Sequence, residues 1–189
     1  VRAGGGIEDN SVAGNTLVLA NVQLMNNSTG SAPGNGGGLH ITGAGDAKVI
    51  DCTVSGNTAA SEGGGLWNSL GLMTITNTTI QGNTATGNDM DNGGGGVFNN
   101  GGTLKIRGNS VIMSNLATGT AGSGGGLLST DGEVTIKDVT FEANSANRAG
   151  GAIEIIDGNL TLRTSSMISN DVNGTAGTPA PGNGGGLHI

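Results

Sequence analysis

The chain has 189 residues and a formal net charge of −7, with 40 glycines, 34% hydrophobic, 11% charged and 2% aromatic residues. That composition is poor in apolar residues for an ordinary core, too weakly charged for a solvated disordered chain, and without the three-residue glycine period of collagen. Seven Lys and Arg against fourteen Asp and Glu argue against nucleic acid as a partner, because phosphate binding needs clustered cations, and no apolar run reaches the roughly 18 residues of a membrane span.

Read from the N-terminus, a glycine run precedes an aliphatic residue seven times: at Ile7, Leu39, Leu66, Val97, Leu127, Ile153 and Leu187. Successive members are 26 to 34 residues apart. An Asn follows each of the first six, at Asn27, Asn57, Asn83, Asn115, Asn144 and Asn170. The segment from aliphatic to Asn is nearly constant, 17 to 20 residues, whereas the return from Asn varies from 9 to 17. A fixed structural unit is therefore joined by a loop of free length.

The fixed segment alternates. Leu17/Leu19 with Val22/Leu24 open the series, followed by Ala47/Val49 with Cys52/Val54, then Met73/Ile75 with Thr78/Ile80. Leu104/Ile106 leads to Ile112 with one extra residue, Val134/Ile136 to Val139/Phe141, and Leu160/Leu162 to Met167. Period two in short β-branched runs predicts strands with one buried face. The residues after each glycine run make a third short strand. About six apolar side chains per unit contribute roughly 9–18 kcal/mol, less than the ordering cost of about 30 residues at ~1–2 kcal/mol each. A unit cannot fold alone, so the units must stack. The sequence predicts one all-β domain over residues 1–189, a parallel β-helix of about six coils with three short strands each. Identical Asn residues one above another would form an inward ladder of carboxamides, each donating and accepting along the stack. The glycine runs read as tight backbone approaches; a phosphate-cradling loop would need a following helix, and helical periodicity is absent.

Phe141-Glu-Ala-Asn144 followed by Gly150-Gly-Ala-Ile153 resembles the paired FxxN and GGA(I/L/V) tetrapeptides of the chlamydial polymorphic outer-membrane proteins, within the wider group of right-handed parallel β-helix surface proteins. Elsewhere the aromatic is Leu, Val, Ile or Met, and GGA becomes GGG. The resemblance implies a right-handed coil, agreeing with the rule for parallel crossovers, and an exported passenger at the cell surface or outside the cell. Gly34–Ile41 recurs as Gly182–Ile189, and Arg2–Glu8 recurs with one change as Arg148–Glu154. Five units thus form a longer repeat. Both ends lie in the same phase without initiator Met, signal or cap, so the chain is expected to be a segment of a longer repetitive protein or a fibre subunit stacking head to tail.

The expected function is a non-enzymatic structural scaffold of a surface layer or fibre, its partners being flanking repeats or further copies of itself. An adhesin passenger binding a host receptor or glycan is the first alternative, and a polysaccharide-active enzyme the second. No cofactor or metal is expected. The enzyme reading needs clustered carboxylates and an aromatic groove, but the acids are scattered; a regular ice-binding Thr array is interrupted by Lys and Arg around Thr74, Thr76, Thr135 and Thr161. Glu8, His40, Trp67, Phe98, Leu128, Glu154 and His188 share one outward position, which suggests a contact strip at Trp67, Phe98 and Leu128 and a surface His–Glu pairing at His40 and His188. Lys48, Lys105, Arg107, Lys137 and Arg163 face outward on the second strand, a basic strip in an acidic chain. Asn88–Gly93 resembles the opening of a calcium loop through Asp89 and Asp91, but Asn100 stands where an EF-hand has its bidentate Glu. The variable loops Thr86–Asn92 and Asn173–Asn183 would display chemistry sideways. Cys52 alone cannot form an internal disulfide.

Overall fold

The computed structural model of the chain describes residues 3–174 and 181–189, and among them there is no helix. The chain forms a parallel β-solenoid of about six turns, built from three sheets in which each interior strand pairs with its counterparts one coil before and one coil after. The first sheet has eleven strands. It contains the post-glycine strands Ile7–Asp9, Leu39–Ile41, Leu66–Asn68 and Val97–Asn100, and the mid-coil strands Thr16–Ala20, Asp46–Ile50, Leu72–Thr76 and Thr103–Arg107. In the next two coils these merge into single strands, Leu127–Lys137 and Ile153–Arg163, and Leu187–His188 opens a further coil. The second sheet stacks Gln23–Met25, Thr53–Ser55, Thr79–Gln81, Val111–Met113, Thr140–Glu142 and Ser166–Ile168.

A third sheet follows directly after the ladder Asn: Thr58–Ala59, Thr84–Ala85, Leu116–Ala117, Ser145–Ala146 and Asp171–Val172. Two residues per strand are too few to show an alternating pattern, so the sequence does not announce it. The strands read from periodicity fill the other two sheets in the expected register. Ala47, Met73, Leu104 and Val134 stack in one column, as do Val49, Ile75, Ile106 and Ile136, and all eight are buried. Leu24, Val54, Ile80, Ile112 and Phe141 continue the core in the second sheet.

The corners have chemical causes. Asn21, Asp51, Asn77, Asn109, Asp138 and Thr164 turn the chain between the first two sheets with φ of 47–58°, a region that Asn and Asp enter more readily than other side chains. The extra residue of the fourth coil is absorbed there, with Gly108 and Asn109 both at positive φ. The glycine three places before each aliphatic residue (Gly4, Gly36, Gly63, Gly94, Gly124, Gly150 and Gly184) has φ of 59–83°. At Gly63 a Cβ would lie 2.6 Å from the Leu66 carbonyl oxygen, so this site accepts no side chain.

Candidate functional site

The six Asn residues form one continuous ladder. Asn27 Nδ2 donates to Asn57 Oδ1 at 2.9 Å, and the same bond links Asn57 to Asn83, Asn83 to Asn115, Asn115 to Asn144 and Asn144 to Asn170 at 2.9–3.0 Å. Each Oδ1 also accepts the backbone N–H of the preceding Asn at 2.9–3.0 Å. The second N–H of each carboxamide from Asn57 onward returns to a carbonyl of the preceding coil: Leu24, Val54, Ile80, Ile112 and Phe141, at 2.8–3.0 Å. Asn57, Asn83, Asn115 and Asn144 are fully buried, and every polar atom of these four carboxamides is satisfied, as burial demands. The Asn–Asn bonds are also directional, since each Nδ2 donates to the Oδ1 one coil on.

The outer column is not an open surface. Trp67, Phe98 and Leu128 are 6%, 2% and 0% exposed and form a second small core with Ile156. The three residues read as a contact strip are thus buried within the chain. The cover is the return segment before each glycine run: Glu62 Oε2 accepts the Trp67 indole N–H at 2.9 Å, and Arg148 reaches Glu154 at 2.9 Å. Trp67 stacks parallel on Phe98 at 6.0 Å between ring centroids, so this column carries an aromatic contribution beyond its buried area.

The two histidines occur in identical octapeptides but differ in partners. His40 is buried, lies 4.3 Å from the Trp67 ring and has the Thr42 hydroxyl 2.9 Å from Nδ1. Burial pulls its pKa down to about 4 against the raising effect of Glu8, so at neutral pH it is an uncharged stacking group. His188 Nδ1 lies 2.9 and 3.1 Å from the two oxygens of Glu154. Glu154 itself is only 1% exposed, and Arg148 bridges it to the Ser123 hydroxyl at 2.9 Å. Of the two His–Glu pairs read from the sequence, one is direct; at the other, Glu8 reaches only the Thr42 hydroxyl, at 3.4 Å.

A cleft of about 330 Å³ opens beside the aromatic column, lined by Glu62, Asp91, Phe98, Asn100, Thr130, Asp131 and Ile156. Burial pushes the Glu62 carboxyl above its usual range, the nearby Asp91 charge adds to this, and hydrogen bonds from Trp67 and Asn92 oppose it. Asn92 Nδ2 donates to Glu62 Oε1 at 3.1 Å, so Glu62 clamps the loop around Asp89 and Asp91 onto the aromatic column. Among the described residues no three His, Cys, Asp or Glu side chains are grouped to hold a metal ion, at the Asp89/Asp91 loop or elsewhere. The loop Asn173–Asn183 lies partly outside the described residues.

Lys48, Lys105, Arg107, Lys137 and Arg163 are all exposed on the outer face of the first sheet. Arg107, Lys137 and Arg163 occupy one column in three successive coils. Lys137 Nζ lies 3.7 Å from Asp138, and Arg107 Nε donates to the Thr76 hydroxyl at 3.3 Å.

Two shorter ladders escaped the sequence. Asn68 Nδ2 donates to Asn99 Oδ1 at 2.8 Å, and Asn99 Nδ2 donates to the Ser129 hydroxyl at 3.0 Å, all three fully buried. This ladder stops because the coil below offers Ile41, leaving Asn68 Oδ1 buried without a partner. At the corner before the second sheet, Thr78, Ser110 and Ser165 hydroxyls accept the backbone N–H groups of Cys52, Thr78 and Val139 at 3.2 Å. The signal in both cases is a polar residue at an inward position, diluted by apolar residues in other coils.

No protein-family model matches the chain, and neither a curated protein nor a solved structure matches it.

Proposed function

We propose that the chain is a non-enzymatic structural rod of an exported cell-surface or extracellular fibre, extended along its axis by strand stacking. The observation that carries this reading is the directional Asn ladder. Each coil presents to the next the same donors, at the same spacing, that it accepts from the last. Whatever polypeptide meets the end coils, a flanking repeat or another copy, meets chemistry already used five times inside the chain. Backbone bonds run parallel to the axis, and six coils rise about 29 Å at the ~4.8 Å strand spacing.

The FxxN and GGA(I) pair supports kinship in design with the chlamydial polymorphic outer-membrane proteins and hence a surface location. Phe141 is fully buried, Asn144 is a ladder member, and Gly150 takes a positive φ of 60°, as does the glycine three places before each of the other aliphatic residues. The scaffold reading also gives Glu62 a holding role: both its oxygens are engaged by N–H groups. Negative-stain microscopy of the purified chain tests the proposal. Filaments that lengthen with concentration are the expected result, and isolated particles at every concentration would count against axial assembly.

A further inference from the structure

Acidic and basic side chains are sorted into adjacent strips on the outer face of the first sheet. On Leu127–Lys137 the order is Asp131, Glu133, Thr135, Lys137; on Ile153–Arg163 it is Asp157, Asn159, Thr161, Arg163. In the coil before, Thr103, Lys105 and Arg107 stand in the same columns. Asp91 and Glu62 extend the acidic strip around the cleft. Asp131, Glu133, Asp157, Lys105, Arg107, Lys137 and Arg163 are exposed, and among the described residues Lys105, Arg107 and Arg163 pair with no carboxylate. Glu133 and Lys137 are separated by about 13 Å along an extended strand at ~3.3 Å per residue. That exceeds the ~8 Å screening length at physiological salt; Lys105, one coil and two residues from Glu133, is nearer at about 8 Å, but no ion pair joins the two strips among the described residues.

We propose that these two strips pair two copies of this chain side by side, about a two-fold axis parallel to the solenoid. Such an axis lays the acidic strip of each copy against the basic strip of the other at the same height, coil against coil. Adjacent strips of opposite sign are self-complementary under this operation, the condition for a closed isologous contact. A linear polyanion fits less well. Laid along Arg107, Lys137 and Arg163, it would meet Asp131, Glu133 and Asp157 on one side and Asp138 on the other. A second copy satisfies the acids and the bases together, and charge sorting of this kind fixes register and suppresses wrong partners. The pairing extends the rod reading and is measured apart from it, because side-by-side association doubles mass without adding length.

Sedimentation velocity on the whole chain in about 0.1 M salt, where screening acts over ~10 Å, gives the test. At concentrations below filament growth, wild type should form a dimer that dissociates on dilution and in about 1 M salt, where screening shortens to ~3 Å. The variant K105E/R107E/K137E/R163E and the variant D131N/E133K/D157N should each weaken the dimer by about tenfold or more. Their equimolar mixture should recover it, because the reversed strips match one another. Circular dichroism checks that each variant keeps its β spectrum; K105Q/R107Q, which only neutralises charge, serves if a reversal fails to fold and should weaken the dimer less. A monomeric wild type overturns the proposal, as does a mixture no tighter than either variant alone. So does a wild type that binds a polyuronate through the basic strip without dimerising.

Discussion

The inner Asn ladder and the outer aromatic column run up the same solenoid, yet they are built on opposite rules. Asn57, Asn83, Asn115 and Asn144 make the same hydrogen bonds in every coil. The outer column solves each coil differently: a neutral His40 stacked on Trp67, an indole tied to Glu62, a Phe98–Leu128 pair, and a buried Glu154 held by Arg148 and His188. Inside, a side chain meets only the coils before and after, so one residue repeated satisfies all of them. Outside, each coil meets a return loop of its own length, and that loop must close with its own chemistry. The octapeptide Gly34–Ile41 and its copy Gly182–Ile189 make the point within one sequence. His40 has Trp67 one coil on and is uncharged, whereas His188 rests on a carboxylate.

The largest expected effect lies in the ladder. Asn115→Ala removes the acceptor for the Asn83 backbone and side-chain N–H groups and the donor to the Ile80 carbonyl. Several buried groups left unpaired at ~1–3 kcal/mol each should cost about 4 kcal/mol in urea unfolding. Asn27→Ala, at a half-buried position, should cost about 1 kcal/mol; equal losses at the two sites would break the contrast between buried and rim members. In the outer column Phe98→Ala should cost about 3 kcal/mol through lost packing on Trp67 and Leu128. A loss within ~0.5 kcal/mol, typical of a surface change, would show that the column is not a core.

The next effect is a pH dependence. The His40 pKa is lowered in the fold from 6.5 to about 4, so its stabilising state is fully present above 6.5 and is lost as pH falls toward 4. The loss should reach about 2 kcal/mol, read from urea midpoints, and His40→Gln should remove it. Glu62 has the opposite sign: its pKa is raised above 4.5, so acidification through that range favours the fold. Glu62→Gln should therefore steepen the acid-side loss, and a shallower profile would contradict the assignment. The smallest effect belongs to Lys105, where Lys105→Gln should change the unfolding stability of dilute, monomeric protein by no more than about 0.5 kcal/mol.

Much of this architecture is legible in the sequence because stacking forces repetition. Asn144 and Asn170 can be aligned by eye since the interior accepts one residue there, and Val134/Ile136 announce a strand because one face is buried. The outer column is harder to read. Trp67, Phe98 and Leu128 carry no pattern that distinguishes a covered position from an open one, and Glu62, which covers Trp67, sits in a segment of variable length. Asn68, Asn99 and Ser129 form a ladder too short and too mixed to stand out from chance, with Ile41 and Ile155 in the same column.

Hydrogen exchange of the Asn side-chain amides, followed by NMR, reaches the stacking itself. Asn57, Asn83, Asn115 and Asn144 should have carboxamide protons protected as strongly as core backbone amides, with Asn27 less protected. Exchange of all of them at the rate of a free primary amide would mean that the ladder does not hold the coils together.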